Sequence, residues 1–175
     1  MLTQAHGAAG MPPAPPTPPA LKAGAALFLL WSVLHIWVPL EGYRVYLADG
    51  NAGTTHMLTG GSAVPHGAYK QSTDAATTLA QSRLFLNFVT DVGGYGVLGL
   101  FVAHGLWTNR NVWQWYTVGV VCIGIADLAF LFFMVLSGVI ELNLGTVAGP
   151  IVWFAAIVVT PLGLPPRGAA ATKRA

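Results

Sequence analysis

Four long apolar stretches, separated by polar segments of unequal length, dominate the hydrophobic pattern of this chain. They cover residues 23–47, 84–107, 112–140 and 146–164. Each reaches the roughly 20 residues that a helix needs to cross a bilayer, at about 1.5 Å of rise per residue. A polar segment rich in Gly and Thr, residues 48–82, joins the first two stretches. The tight turn Thr-Asn-Arg-Asn at 108–111 joins the second and third, and a short turn at 141–145 joins the last two. Short turns force antiparallel neighbours. The pattern therefore predicts an all-α, integral membrane protein folded as an up-down four-helix bundle. Residues 1–22 form a Pro-rich tail whose paired prolines favour an extended conformation. Such a tail is either loose or a docking strap for a partner. Residues 165–175 form a short basic tail. The start of the chain lacks the charged region and continuous apolar core of a signal peptide.

Composition narrows the class further. Charged residues make up only 8% of the chain and hydrophobic ones 54%, with a mean hydropathy of +0.62. Ordinary soluble domains carry about 25% charged residues, so a soluble domain is excluded and the lipid bilayer is the expected surrounding. The net charge of +2 is small and its basic residues are scattered, which gives nucleic acid no footprint. The lone cysteine, Cys122, lies in an apolar stretch and allows no intrachain disulfide or CxxC chemistry. It reads as a small buried apolar residue.

Lys and Arg set the expected orientation. Lys22, Arg110, Arg167, Lys173 and Arg174 lie on the side of the termini, against Arg44, Lys70 and Arg83 on the other. The bias places both termini in the cytoplasm and the long loop outside or in a lumen. Trp107, Trp113, Trp115 and Tyr116 flank the tight turn as an aromatic belt at that interface.

Two aspartates interrupt the apolar stretches near their middles, Asp91 and Asp127. A carboxylate at that depth costs about 2.5–3.5 kcal/mol even on the lenient insertion scale, and such residues serve a partner, a pathway or a reaction. Arg83, Asn87 and Asp91 recur every fourth residue and so share one helical face, which Gly94 extends. Gly93, Gly96 and Gly99 form a second row of small residues that admits a close neighbour. Counting rise per residue places Asp91 and Asp127 at one depth, a little over about 20 Å from the inner edge, with His35 within a turn of it. An Asp91–Asp127–His35 cluster opening toward Arg83 is the expected site. The counterpart reading makes the same residues interhelical hydrogen-bonding glue. Glu41 falls off the His35 face, and a break at Pro39 would leave it at the outer rim with Arg44.

Several chemistries lack their residues. His35 and His104 are about 12–14 Å apart in depth, too far to share a haem. No span holds a lysine for a Schiff base, and no Glu-x-x-His pair exists for a dinuclear carboxylate site. His56 and His66, with Met57, make at most a sparse copper set in a loop that reads better as solvated. No glycine-rich phosphate loop is present. No metal and no cofactor are expected. The layout and size of residues 23–164 resemble those of several families of small bundle membrane proteins, among them the DoxX-like group and the emopamil-binding-protein group of sterol isomerases. The resemblance is one of layout, and it carries over no residue role.

Three functions fit these features. In the first, Asp91, Asp127 and His35 act as a general acid and base on an apolar small molecule such as a terpenoid, sterol or polyketide. Isomerisation or cyclisation would need no cofactor. Asn87, Arg83, Glu41, Tyr95, Trp31 and Trp153 would line the substrate, with Trp31, Trp37, Tyr95, Phe130 and Trp153 able to face a cationic intermediate. In the second, the protein is a non-catalytic subunit whose tail, loop and Gly rows contact a membrane-protein partner or further copies of itself. In the third, the intramembrane Asp and His residues mark a proton or small-solute pathway.

Overall fold

A computed structural model describes residues 17–167; the Pro-rich segment before them and the last eight residues lie outside it. The described residues are helical, with no strand and a single isolated bridge between Gly60 and Ile140. Four helices are long and apolar enough to cross a membrane: α1 (Pro19–Met57), α2 (Ala75–Trp107), α3 (Val112–Leu136) and α4 (Leu144–Gly163).

The first two helices run well beyond the apolar stretches that announced them. Pro18 and Pro19 start α1, where a missing amide hydrogen is harmless because the first turn has no intrahelical acceptor for it. The helix then passes through Pro39 without leaving helical geometry, contrary to the expected break. Its interruption falls instead at Gly50, with φ 58° and ψ −140°, a conformation open only to glycine at little strain. A short helical piece ending at Met57 follows, so the connection to α2 shrinks to residues 58–74. Asp74 caps α2 by accepting from the Thr77 backbone N–H at 2.8 Å.

The third span ends at Leu136, four residues before its apolar stretch does. Gly138, at φ 78°, turns the chain there, and its carbonyl accepts from the Ala63 amide of the 58–74 connection. That connection therefore folds down onto the turn between α3 and α4. An Asn143–Thr146 capping box opens α4, each side chain bonding the other's backbone amide.

Packing follows the small residues. A Cβ on Gly93, Gly96 or Gly99 would lie 2.7 Å from Pro39, 2.9 Å from Ile36 or 2.3 Å from Ser32, so this row seats α2 directly on α1. α1 also packs along α4, while α3 touches α2 near its start and α4 from Tyr116 onward. The core, built on Leu21, Phe28, Trp31, Val102, Leu106, Ile123, Trp153 and Ala156, lies in the half of the molecule nearer the termini. Burial of side chains as large as Phe28 and Trp31, each at 0% exposure, fixes the relative rotation of the helices there.

At the end nearest the termini, Lys22 lies over the Trp107 ring and Arg167 over the Trp113 ring, at 5.6 and 4.4 Å. Cys122 is exposed on α3, not buried as its apolar neighbours suggested.

Candidate functional site

The site grows from one residue of α3. Asp127 is 3% exposed, and both of its oxygens are engaged from α1. The Trp31 indole N–H donates to Oδ2 at 2.6 Å. His35 Nε2 lies 3.1 Å from Oδ1. Trp31 and His35 are one helical turn apart and stack, with ring centroids 3.6 Å apart and planes inclined at 23°. Asp127 itself sits in a short α-helical piece of α3, Gly124–Phe130, between two wider π-helical stretches, Gly119–Ile123 and Leu131–Leu136. Such π-turns shift the angular phase of the residues that follow them.

The hydrogen bonds fix the protons. His35 Nδ1 lies 2.9 Å from the Trp31 carbonyl oxygen. A carbonyl only accepts, so Nδ1 carries a hydrogen. The Nε2–Oδ1 contact is then a hydrogen bond in either of two forms: imidazolium donating to carboxylate, or carboxyl donating to neutral imidazole. In both, one proton lies between His35 and Asp127, and the pair is neutral as a whole. This is how a carboxyl group and an imidazole can occupy an apolar interior without a net charge.

α4 closes the third side. Gly149 is buried there, and a Cβ on it would lie 2.7 Å from His35 Cε1 and 3.6 Å from Asp127 Oδ1. The bare backbone lets α4 approach the imidazole. Sequence reasoning missed Gly149; its only signal is a glycine beside Pro150 inside an apolar stretch. Of the side chain of His35, 15% remains exposed.

Asp91 takes no part in this arrangement, and the expected three-residue cluster does not form. Asp91 is exposed on α2 and accepts from Asn87 Nδ2 at 2.8 Å. Among the described residues, no three of His, Cys, Asp or Glu come together. Equal depth on two helices does not settle which way either helix face points. Arg83 and Asn87 share the exposed face of Asp91, away from Asp127. Glu41 is paired with Arg44, whose Nε and Nη2 donate to its two oxygens at 2.8 and 2.5 Å. Tyr95 and Trp37 are exposed. Trp153 is buried, but its indole donates to the Gly119 carbonyl and its ring packs on Gly124, so it pins α4 to α3 apart from Asp127. Of the residues expected to line a substrate, Trp31 is the one hydrogen-bonded to the aspartate.

Compared with known protein families, curated proteins and solved structures, the chain shows no match. The Trp31–His35–Asp127 group must therefore be interpreted from its own chemistry.

Two hollows lie at the opposite end of the molecule from the termini. One, of about 720 Å³ and open to the surroundings, is lined by Tyr46, Gly50, Asn51, Thr73, Thr78 and Ser82 among others. The other, of about 100 Å³, lies beside His56 and His66. These two rings stack at 3.8 Å, and His66 Nδ1 is 3.1 Å from the Thr59 hydroxyl. Parallel stacking turns the ring edges alongside one another, which does not suit a shared metal ion.

Proposed function

We propose that this is an integral membrane protein, inserted as an up-down four-helix bundle, in which Asp127 and His35 form an intramembrane acid–base centre acting on an apolar small molecule. The membrane part rests on four apolar helices of sufficient length and on the Trp–cation pairs at the end nearest the termini. Five basic residues against three favour a cytoplasmic location for that end. The catalytic part rests on one observation: the 3.1 Å contact between a buried carboxyl group and an imidazole that retains some exposure.

A pair that holds one proton can give it up at one atom and recover one from another. That is the sequence required to move a carbon–carbon double bond, and it consumes no cofactor. His35 is the outer member, and it reaches an apolar molecule through Nε2 when the bond to Asp127 opens, because Nδ1 stays on the Trp31 carbonyl. Asp127 is the inner member and balances the charge of the imidazole. Trp31 orients both, through its indole to the carboxyl and through its carbonyl to Nδ1. Substrates of this kind are terpenoid, sterol or polyketide-like molecules that partition into the bilayer.

The test is to identify molecules retained by the purified protein by mass spectrometry, then incubate that complex in heavy water. An acid–base isomerase introduces deuterium into its bound molecule at carbon. Retained lipids that stay unlabelled over many hours would remove the catalytic reading.

A second reading has its own support. Among the described residues, no buried side-chain nitrogen or oxygen lacks a hydrogen-bond partner. The same three residues thus serve equally as a clasp between α1 and α3 in a non-catalytic membrane subunit. Stoichiometric copurification with another membrane protein, together with full function of an uncharged variant at Asp127, would favour it.

A further inference from the structure

The outward face of α2 carries a polar group that the acid–base centre does not use. Asn87 and Asp91 are exposed there, bonded only to each other by the 2.8 Å contact. Leu84, 70% exposed, lies one turn before Asn87, and Tyr95, 38% exposed, lies one turn beyond Asp91. Gly94 lies next on the same face, and a Cβ added to it would meet no atom within 4 Å. Counted from Trp107, Asp91 is about 24 Å along the helix, inside the hydrocarbon once the protein is inserted as proposed above. The face therefore offers lipid a carboxyl group, a carboxamide and a shallow notch.

We infer that this face docks a transmembrane helix of another membrane protein, one that carries a lysine or arginine at the depth of Asp91. The occupant follows from charge complementarity and from what this chain can itself supply. A two-fold contact between copies through this face would set Asp91 against Asp91. A head-to-tail contact would need an intramembrane cation from elsewhere on the same chain. Arg44 is held by Glu41, and Lys22 and Arg167 lie over tryptophans at the far end. Arg83 stands two turns from Asp91 on the same face, toward the loop, and no salt bridge joins them. Tyr43 and Thr90, on the flank, bond one another. Lys70 lies on the 58–74 connection and Arg110 in the turn at 108–111, so among the described residues no other cation stands at the depth of Asp91, and the cation comes from the partner. Intramembrane acidic and basic groups pair in this way because neither is otherwise satisfied in hydrocarbon. Gly94, about one turn from Asp91, lets the partner backbone come close.

The inference rests on membrane insertion but not on catalysis. It is tested by reconstituting the full chain, fluorescently labelled at Ser62→Cys in a Cys122→Ala background, into phosphatidylcholine vesicles. Three labelled Leu-rich transmembrane peptides are added: one with a single lysine in its outer half, one all-leucine, and one with glutamate at the lysine position. Energy transfer should report binding of the lysine peptide about tenfold tighter than the others. Asp91→Asn and Asp91→Leu should each abolish that preference. Equal binding of the lysine and leucine peptides, or an undiminished preference in both variants, overturns the inference. Self-association of the chain that Asp91→Leu abolishes would also overturn it, in favour of a second copy as occupant. Release of the wild-type chain from vesicles by alkaline carbonate would instead overturn the membrane placement, and this inference with it.

Discussion

His35 and Asp127, 92 positions apart in the chain, meet with Nε2 and Oδ1 3.1 Å apart. The relationship depends on a third atom, because the Trp31 carbonyl commits Nδ1 as a donor. Nitrogen NMR of the wild-type protein in nanodiscs should accordingly find His35 Nδ1 protonated, with Nε2 the nitrogen that responds to changes at residue 127. The arrangement links α1 to α3 near the middle of both helices. Its chemistry and its contribution to the fold can be separated by substitution.

Trp31→Phe keeps an aromatic ring in the core but removes the indole N–H that reaches Asp127 Oδ2. The buried oxygen then lacks its donor. That loss costs about 1–3 kcal/mol, more if the carboxyl is ionised. The expected result is a lower thermal midpoint in detergent or nanodiscs. In a double-mutant cycle with Asp127→Ala, which removes the acceptor itself, the two losses should couple by about 0.5–3 kcal/mol. Strictly additive losses would mean that the indole acts by packing alone.

Gly149→Ala sets two effects against each other. Alanine favours a helix over glycine by about 1 kcal/mol. Its Cβ, however, would fall 2.7 Å from His35 Cε1, and the imidazole is held on both sides by hydrogen bonds. Overpacking of this kind costs about 1–3 kcal/mol. A net loss of stability is expected, accompanied by a shifted His35 resonance. A more stable variant with an unchanged resonance would show that α4 is free to move away.

Much of the fold was legible because a bilayer-length apolar stretch leaves few options. The four spans, the tight turn at 108–111 and the close depth of His35 and Asp127 all follow from counting. The orientation of Asp91 does not. α2 is apolar on most of its circumference, so periodicity groups Arg83, Asn87 and Asp91 on one face without saying which way that face points. Two π-helical stretches in α3 further detach the phase of Asp127 from a regular count. The extension of α1 to Met57 was hidden by its polarity: Asp49, Asn51 and the residues after them read as loop, yet they are helical on either side of Gly50. Trp31 was singled out as an aromatic wall for a substrate. Its role as a hydrogen-bond donor depends on a contact 96 positions away.

Asp74 gives a pH signature outside the spans. The Thr77 backbone amide, and then the Thr77 hydroxyl, donate to its carboxylate and hold it below the usual carboxylate range. The folded state thus binds this proton more weakly than the unfolded chain does. The stabilisation is complete above the ordinary aspartate value and is lost as pH falls through the lowered folded value. Asp74→Asn retains a capping oxygen that does not titrate. The wild-type protein should be the more stable at neutral pH, and the two should converge below about pH 4, where the carboxyl group is protonated and its bonds to Thr77 lose their charge. A difference that does not change between about pH 7 and about pH 3 would contradict this account.

Topology is open to direct labelling. Ser62 is exposed on the 58–74 connection, and Thr108 is exposed at the tight turn. Ser82, in contrast, is buried and would be a poor reporter. With Cys122 replaced by alanine, an impermeant thiol reagent applied to intact cells should label Ser62→Cys and spare Thr108→Cys. The reverse pattern would invert the orientation drawn from the basic residues and the tryptophan belt.

Asp127→Asn separates chemistry from architecture. Asparagine preserves shape and offers an oxygen to the Trp31 indole. Its amide nitrogen then faces His35 Nε2 and can donate to it. The hydrogen-bond framework survives, while the shared proton is replaced by one that cannot be transferred. If the pair performs acid–base catalysis, turnover or deuterium incorporation should fall by about 10²–10⁴-fold. The variant should still insert, purify and keep Nδ1 of His35 protonated. If the group is only a clasp, the amide should substitute at about 1–2 kcal/mol or less, with function intact. Asp91→Asn provides the internal control. Its carboxyl group is exposed on another face and bonded to Asn87, so it should leave turnover unchanged. A comparable loss in both variants would instead restore a coupled pair of aspartates and require α2 to turn inward during the reaction.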